Sequence, residues 1–182
     1  PNSNWRDMVW INGQTGFMCG TAYPNSIRRS TNSGITWDTI GGYLISGNYI
    51  RTADRIWTAD GVTIFAISDA TPNFVYRSSN GGDNWAVIPC GLVGPYQLCI
   101  NFMNASTGFI GGTNGRMART TDGGFNWIAF NSPLGTARYI KNISFSGSGE
   151  IYITGDTTYL YKSSNLGSTW DTVGFLAPGQ PN

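Results

Sequence analysis

Apolar and polar residues alternate along this chain in short bursts that never last long enough for a helix. Segments such as "FMCG", "TIFAI", "LCINF" and "EIYIT" are rich in aromatic and β-branched residues and close on Gly, Asn, Ser or Asp-Gly. Alternation of period two, with a turn signal every 8–12 residues, predicts strands throughout. No stretch keeps a helical period. The strands fall into four groups of four. First strands are predicted at 8–11, 56–57, 98–102 and 143–145, and second strands at 16–20, 62–67, 108–112 and 150–154. Third strands follow at 26–30, 74–78, 116–120 and 159–163. A fourth begins in each group at a tryptophan, reading "WDTI", "WAVI", "WIAF" and "WDTV".

The third and fourth strands are joined each time by nearly the same nine residues: "RSTNSGITW", "RSSNGGDNW", "RTTDGGFNW" and "KSSNLGSTW". The closing tryptophans, Trp37, Trp85, Trp127 and Trp170, recur at intervals of 48, 42 and 43 residues. Such a period marks a repeat architecture, and four antiparallel strands per repeat describe a propeller blade. The sequence therefore predicts an all-β fold, a β-propeller of four four-stranded blades at about 5–40, 54–89, 97–131 and 139–176. These form one domain, 1–176, with a linker-like tail at 177–182. The pattern leaves three arrangements open: a self-closed ring, part of a larger propeller, or another stacking of the sheets.

Each nine-residue motif has the chemistry of a self-contained turn. The hydroxyl of Ser30, Ser78, Thr120 or Ser163 bonds nearby backbone. The side chain two residues on (Asn32, Asn80, Asp122 or Asn165) closes an Asx-type turn. Gly34, Gly82, Gly124 and Gly167 supply a positive φ without steric cost. The tryptophan folds beneath as an apolar plug. These stretches resemble the Asp-box, or BNR repeat, of sialidase-like propellers. With their upstream "TGF" segments they are most similar to the photosystem II assembly-factor type. The resemblance covers nearly the whole chain, although three boxes carry Asn where the family has Asp. It implies that the boxes are structural and lie at the outer edge of the blades, away from any ligand. The basic residue ahead of each box (Arg29, Arg77, Arg119, Lys162) reads as a solvated edge position that discourages edge pairing.

Composition narrows the function. Charged residues make up 12 % of the 182 residues and the net charge is +1. No strong field draws in nucleic acid, and no apolar run is long enough for membrane insertion. A surface made of Asn, Ser, Thr and Gly suggests an extracellular setting: secreted, cell-surface or virion. Histidine is absent, which excludes histidine-dependent triads and histidine-ligated zinc. Three cysteines allow a local Cys90–Cys99 bridge or three buried free thiols. Sialidases of the resembled fold use an arginine trio, a Tyr–Glu pair and an Asp. Here Glu150 is the single glutamate, and Asp7 and Asp54 read as partners of the neighbouring Arg6 and Arg55.

No catalytic set, metal site or cofactor is therefore expected, and the chain reads as non-enzymatic. The expected role is a structural or protein-interaction module, with protein partners or self-assembly. Carbohydrate binding is the alternative, and a glycoside hydrolase fragment follows it. In a propeller the loops between blades, and those joining second to third strands, share one face. The candidate ligand-binding residues there are Tyr43, Tyr49, Arg51, Arg55, Tyr96, Arg138 and Tyr139, because Tyr and Arg are common interface anchors. Their competing role is to cap blade junctions.

Overall fold

The computed structural model describes residues 4–21, 26–40, 50, 52–68, 73–92 and 96–175. The predicted tail at 177–182 lies outside them. Every regular element is a strand. The first sheet holds β1 (Trp5–Trp10), β2 (Gly16–Gly20), β3 (Ile27–Ser30) and β4 (Asp38–Thr39). The second holds β5 (Arg55–Thr58), β6 (Ile64–Ile67), β7 (Phe74–Ser78) and β8 (Ala86–Pro89). The third holds β9 (Gln97–Phe102), β10 (Gly108–Gly112), β11 (Arg116–Thr120) and β12 (Ile128–Asn131). The fourth holds β13 (Ile140–Phe145), β14 (Ile151–Gly155), β15 (Tyr159–Ser163) and β16 (Asp171–Phe175). Each sheet is an antiparallel meander in chain order. The outer strands begin just after the tryptophan rather than at it, because the indole is committed to the turn before the ladder starts.

Strand alternation gives each sheet two faces, and the register shows which residues share one. Phe17, Cys19 and Ile27 of the first sheet pack on Ile56, Ile64 and Trp85 of the second. Phe65, Ile67 and Val75 on the second sheet's other face meet Ile100, Phe102 and Trp127 of the third. Phe109 and Met117 then meet Ile143, Ile151 and Ile153 of the fourth. Three cores thus join four sheets in chain order, as in consecutive propeller blades. The inner strands β1, β5, β9 and β13 lie side by side in that order. Among the described residues no apolar core joins the fourth sheet to the first.

The four turns close alike. The backbone N–H of the box glycine donates to the Ser or Thr hydroxyl at 2.9 Å in every sheet. The Asn or Asp oxygen accepts from the N–H four residues on, at 2.8–3.0 Å. All four hydroxyl residues are 1 % exposed, so the turn satisfies groups that burial would otherwise leave unpaired. The glycines sit at φ of +81° to +96°, and a Cβ on Gly124 would run into the Phe65 ring of the preceding sheet. Three indole N–H groups donate to the box glycine carbonyl. That of Trp85 also reaches the Ile40 carbonyl of the first sheet, at 3.1 Å.

Two readings of the sequence are corrected here. The arginines ahead of the boxes are ties between sheets, not solvated edge charges. Arg29 donates to the Gly81 carbonyl at 3.0 Å, Arg77 to Gly123 at 2.9 Å and Arg119 to Leu166 at 2.6 Å. The accepting residue holds the same place in each box and has a positive φ, which presents its carbonyl to the preceding sheet. Arg77 is the most enclosed, with its guanidinium 4.0 Å from the Phe125 ring centroid and 5.8 Å from that of Phe65. Burial lowers its pKa, and the Asp122 charge opposes that effect. Nor do Cys90 and Cys99 form a bridge, since all three cysteines are free and buried. The two belong to different cores on opposite faces of the third sheet. Burial pushes the Cys99 thiol up to about 12.

Replacing Arg77 by Ala removes a charged hydrogen bond and a stacked cation, and is expected to cost about 2 kcal/mol in urea unfolding. A second expectation concerns Asp122, the one acid among the boxes. Hydrogen bonds from Asn126, Thr120 and Phe125 hold its carboxyl at about 2, below the ordinary 3.8. Folding therefore favours the carboxylate, and that contribution is complete above the ordinary value and lost as pH falls through about 2. Asp122→Asn should fold, since Asn does this work in the other three boxes. Any melting-temperature advantage of the parent over Asp122→Asn should shrink between pH 5 and pH 2.

Candidate functional site

The antiparallel meander sends every connection to one of two ends of the sheets. The boxes and the turns between first and second strands lie at one end. The lead-ins to the inner strands and the turns between second and third strands lie at the other. Of the candidates, Arg55, Tyr96, Arg138 and Tyr139 are at this second end. Tyr43, Tyr49 and Arg51 lie outside the described residues.

Backbone bonds weld the lead-in of each inner strand to the second turn of its own sheet. The Thr21 N–H donates to the Asn4 carbonyl at 3.0 Å, that of Thr113 to Tyr96 at 3.1 Å and that of Asp156 to Tyr139 at 3.3 Å. The third and fourth sheets are further linked where the Gly115 N–H donates to the Arg138 carbonyl at 2.7 Å. Tyr96, Arg138 and Tyr139 are thereby held on one continuous rim around the 113–115 turn. Their side chains stand out from it, with Tyr96 at 49 % and Tyr139 at 45 % exposure. Asp156 sets the geometry of the fourth lead-in. Its carboxylate accepts from the Tyr139 N–H at 2.8 Å, and its carbonyl accepts from the Arg138 guanidinium at 3.0 Å. The result is a fixed backbone carrying two aromatic side chains and a cation.

Arg55 has a different role. It donates to the Asp54 carbonyl at 2.7 Å, and Asp54, 5 % exposed, is paired with Arg6 of the first sheet. Asp7 accepts the Ile56 N–H at 3.0 Å. The pairing inferred from sequence holds in kind but crosses between sheets. Arg6, Asp7, Asp54 and Arg55 stitch the first two inner strands together, as Asn101 stitches β9 to β13 through the Ile143 carbonyl at 2.9 Å.

Glu150 is at the other end of the sheets. It pairs with Lys162 and accepts from the Tyr152 hydroxyl at 3.1 Å. Lys162 first, then Tyr152, holds its carboxyl below the ordinary value. A general acid for glycoside cleavage needs the opposite displacement. Among the described residues no group of three or more Cys, Asp or Glu side chains is placed to hold a metal ion.

Arg6→Ala would leave Asp54 without this partner at a buried position. Breaking such a pair is expected to destabilise the protein by about 2–3 kcal/mol, less than a pair buried on both sides. Chemical denaturation of the parent, Arg6→Ala and the double variant Arg6→Ala/Asp54→Asn would show it, with the double variant regaining part of the loss.

Repeated four-stranded meanders, each closed by an Asp-box and joined face to face, define the class: this is an Asp-box β-propeller fold. The model of the photosynthesis system II assembly factor YCF48 family matches residues 92–182, half of the chain, and the chain belongs to that family. Comparison with curated protein sequences found no match. Solved structures confirm the fold. YCF48 bound to a D1 peptide superposes with a TM-score of 0.65 at 19 % identity, over 93 % of this chain and 54 % of that one. YCF48 from Cyanidioschyzon merolae gives 0.61 at 16 % identity, over 93 % and 56 %. The GH74 xyloglucanase from Xanthomonas campestris gives 0.69 at 16 % identity, over 99 % and 32 %. The chain thus spans about half the length of the YCF48 chains. The extracellular, cell-surface or virion setting inferred from composition is overturned, because the family matched is that of a photosystem II assembly factor. Low charge reflects a β-rich surface of Asn, Ser and Thr, and carries no address.

Proposed function

We propose that this chain is a non-enzymatic protein-interaction module whose propeller face receives a segment of a partner protein. We place the contact at the inner-strand lead-ins, with Tyr96, Arg138 and Tyr139 as anchors and the four sheets acting as blades of one domain. The observation that carries the reading is the rigid rim of the third and fourth sheets. Its backbone is satisfied internally, while two tyrosines and an arginine remain presented to solvent. Such side chains supply contact area and directed hydrogen bonds at low entropic cost. Membership of an assembly-factor family supports a protein as the partner, and a solved YCF48 carries a D1 peptide. The state of Glu150, charged and paired away from this rim, favours binding over hydrolysis.

Titration with a D1 peptide and with a xyloglucan oligosaccharide, followed by calorimetry, tests this. Peptide binding that weakens at least tenfold in Tyr96→Ala/Arg138→Ala/Tyr139→Ala, with no sugar released from xyloglucan, is the expected result. Saccharide binding lost in the same variant, with no peptide response, would replace this reading with the carbohydrate-binding one.

A further inference from the structure

The two end sheets of the array differ. Each sheet has a leading face, turned towards its predecessor, and a trailing face, turned towards its successor. On the leading face, strand register puts Met8, Ile56, Ile100 and Ile143 at one position, paired with Met18, Ala66, Ile110 and Ile153. The three isoleucines are 5 %, 8 % and 2 % exposed, whereas Met8 is 57 % exposed. Trp10 matches Phe102, with 41 % exposure against 6 %. Trp10 and Trp37 meet edge to face at 5.8 Å, as Phe102 and Trp127 do at 5.9 Å inside the second core. The first sheet thus carries a finished leading face in water.

The tie on this face is half made as well. Arginine donors reach Gly81, Gly123 and Leu166 from the preceding sheet. Ser33 holds the same box position with φ of +60°, against +70°, +75° and +56° for those three. At the far end the trailing face of the fourth sheet is polar. Ser144 and Asp171 are exposed there, and Lys162, aligned with the three arginines, pairs with Glu150 of its own sheet. A polar terminal face is how a repeat array stops, and an apolar one is where it continues.

We propose that the leading face of the first sheet is an interaction surface for one further Asp-box sheet of the same propeller. That sheet brings an aliphatic and aromatic trailing face over Met8 and Trp10, and an arginine to the Ser33 carbonyl. Its chemistry is read from the three junctions already present. The solved YCF48 chains carry nearly as much length again outside the matched part. A second copy is the poorer fit, since the trailing face it offers is the polar one.

The test compares the 182-residue chain with the same chain carrying a copy of its own residues 97–139 ahead of Asn4. In the chain alone, Met8→Lys should leave the melting temperature within about 1 °C and reduce apolar-dye binding. In the extended chain the same substitution should lower it by about 5 °C or more, because the cation is then buried without a partner. Equal tolerance of Met8→Lys in both, with the extended chain melting in one transition, would overturn the proposal. Two measurements on the chain alone decide the matter should the extended form not fold. A monomer by light scattering whose dye binding falls in Met8→Lys supports the proposal. A dimer that Met8→Lys dissociates, or a chain that binds no dye, overturns it.

Discussion

A four-stranded sheet that is apolar on both faces must have both covered. Most of this structure follows from that constraint. Period-two alternation builds the two faces, so no sheet has a core of its own and each core belongs to a pair. Three such cores hold the four sheets in chain order. Directional bonds fix how each pair sits. The arginine of one sheet ties to the next box, the Trp85 indole reaches back to Ile40, and Asp7 and Asn101 bridge inner strands near the axis. Dispersion and burial supply the attraction, and these few polar ties supply the register.

The turn at the box end makes the arrangement repeatable. A buried hydroxyl, an Asx oxygen and a glycine at positive φ satisfy the turn locally, so the motif needs nothing from its neighbours to form. Its third residue then presents a carbonyl outward, and the preceding arginine uses it. One nine-residue stretch therefore closes a hairpin, plugs a core and supplies both halves of a junction. With the box end occupied in this way, the opposite end is free to vary, and there the lead-ins and second turns present Tyr96, Arg138 and Tyr139 on welded backbone.

The family assignment and the geometry agree on a scaffold and differ from what composition suggested about setting. Low charge and an Asn- and Ser-rich surface suit many β proteins, in any compartment. They describe how a β surface is solvated and leave its destination unspecified. The tie of Glu150 to Lys162 is likewise chemistry of the last sheet and not of a cleft, and sequence position alone does not separate the two.

Much of the fold was legible because it is local. Strand alternation, the box chemistry of Ser30 through Gly34 and its three copies, and the four-by-four plan all rest on residues within about ten positions of one another. Repetition then multiplied a weak signal by four. The candidate rim was legible only as loops rich in Tyr and Arg. The structure brought Tyr96, Arg138 and Tyr139 together, and it moved Arg55 from the binding set to the stitching between inner strands. What the chain alone could not disclose was long-range pairing. The partners of Arg29, Arg77 and Arg119 lie 46–52 residues away, and Arg6 finds Asp54 across a sheet boundary. Cys90 and Cys99, close in sequence, face opposite cores. Alternation says that a residue points to one of two sides, but only packing decides which neighbour waits there. For that reason the local turn and strand pattern is a property of the sequence, whereas the ties between sheets and the bare leading face of the first are properties of the tertiary structure.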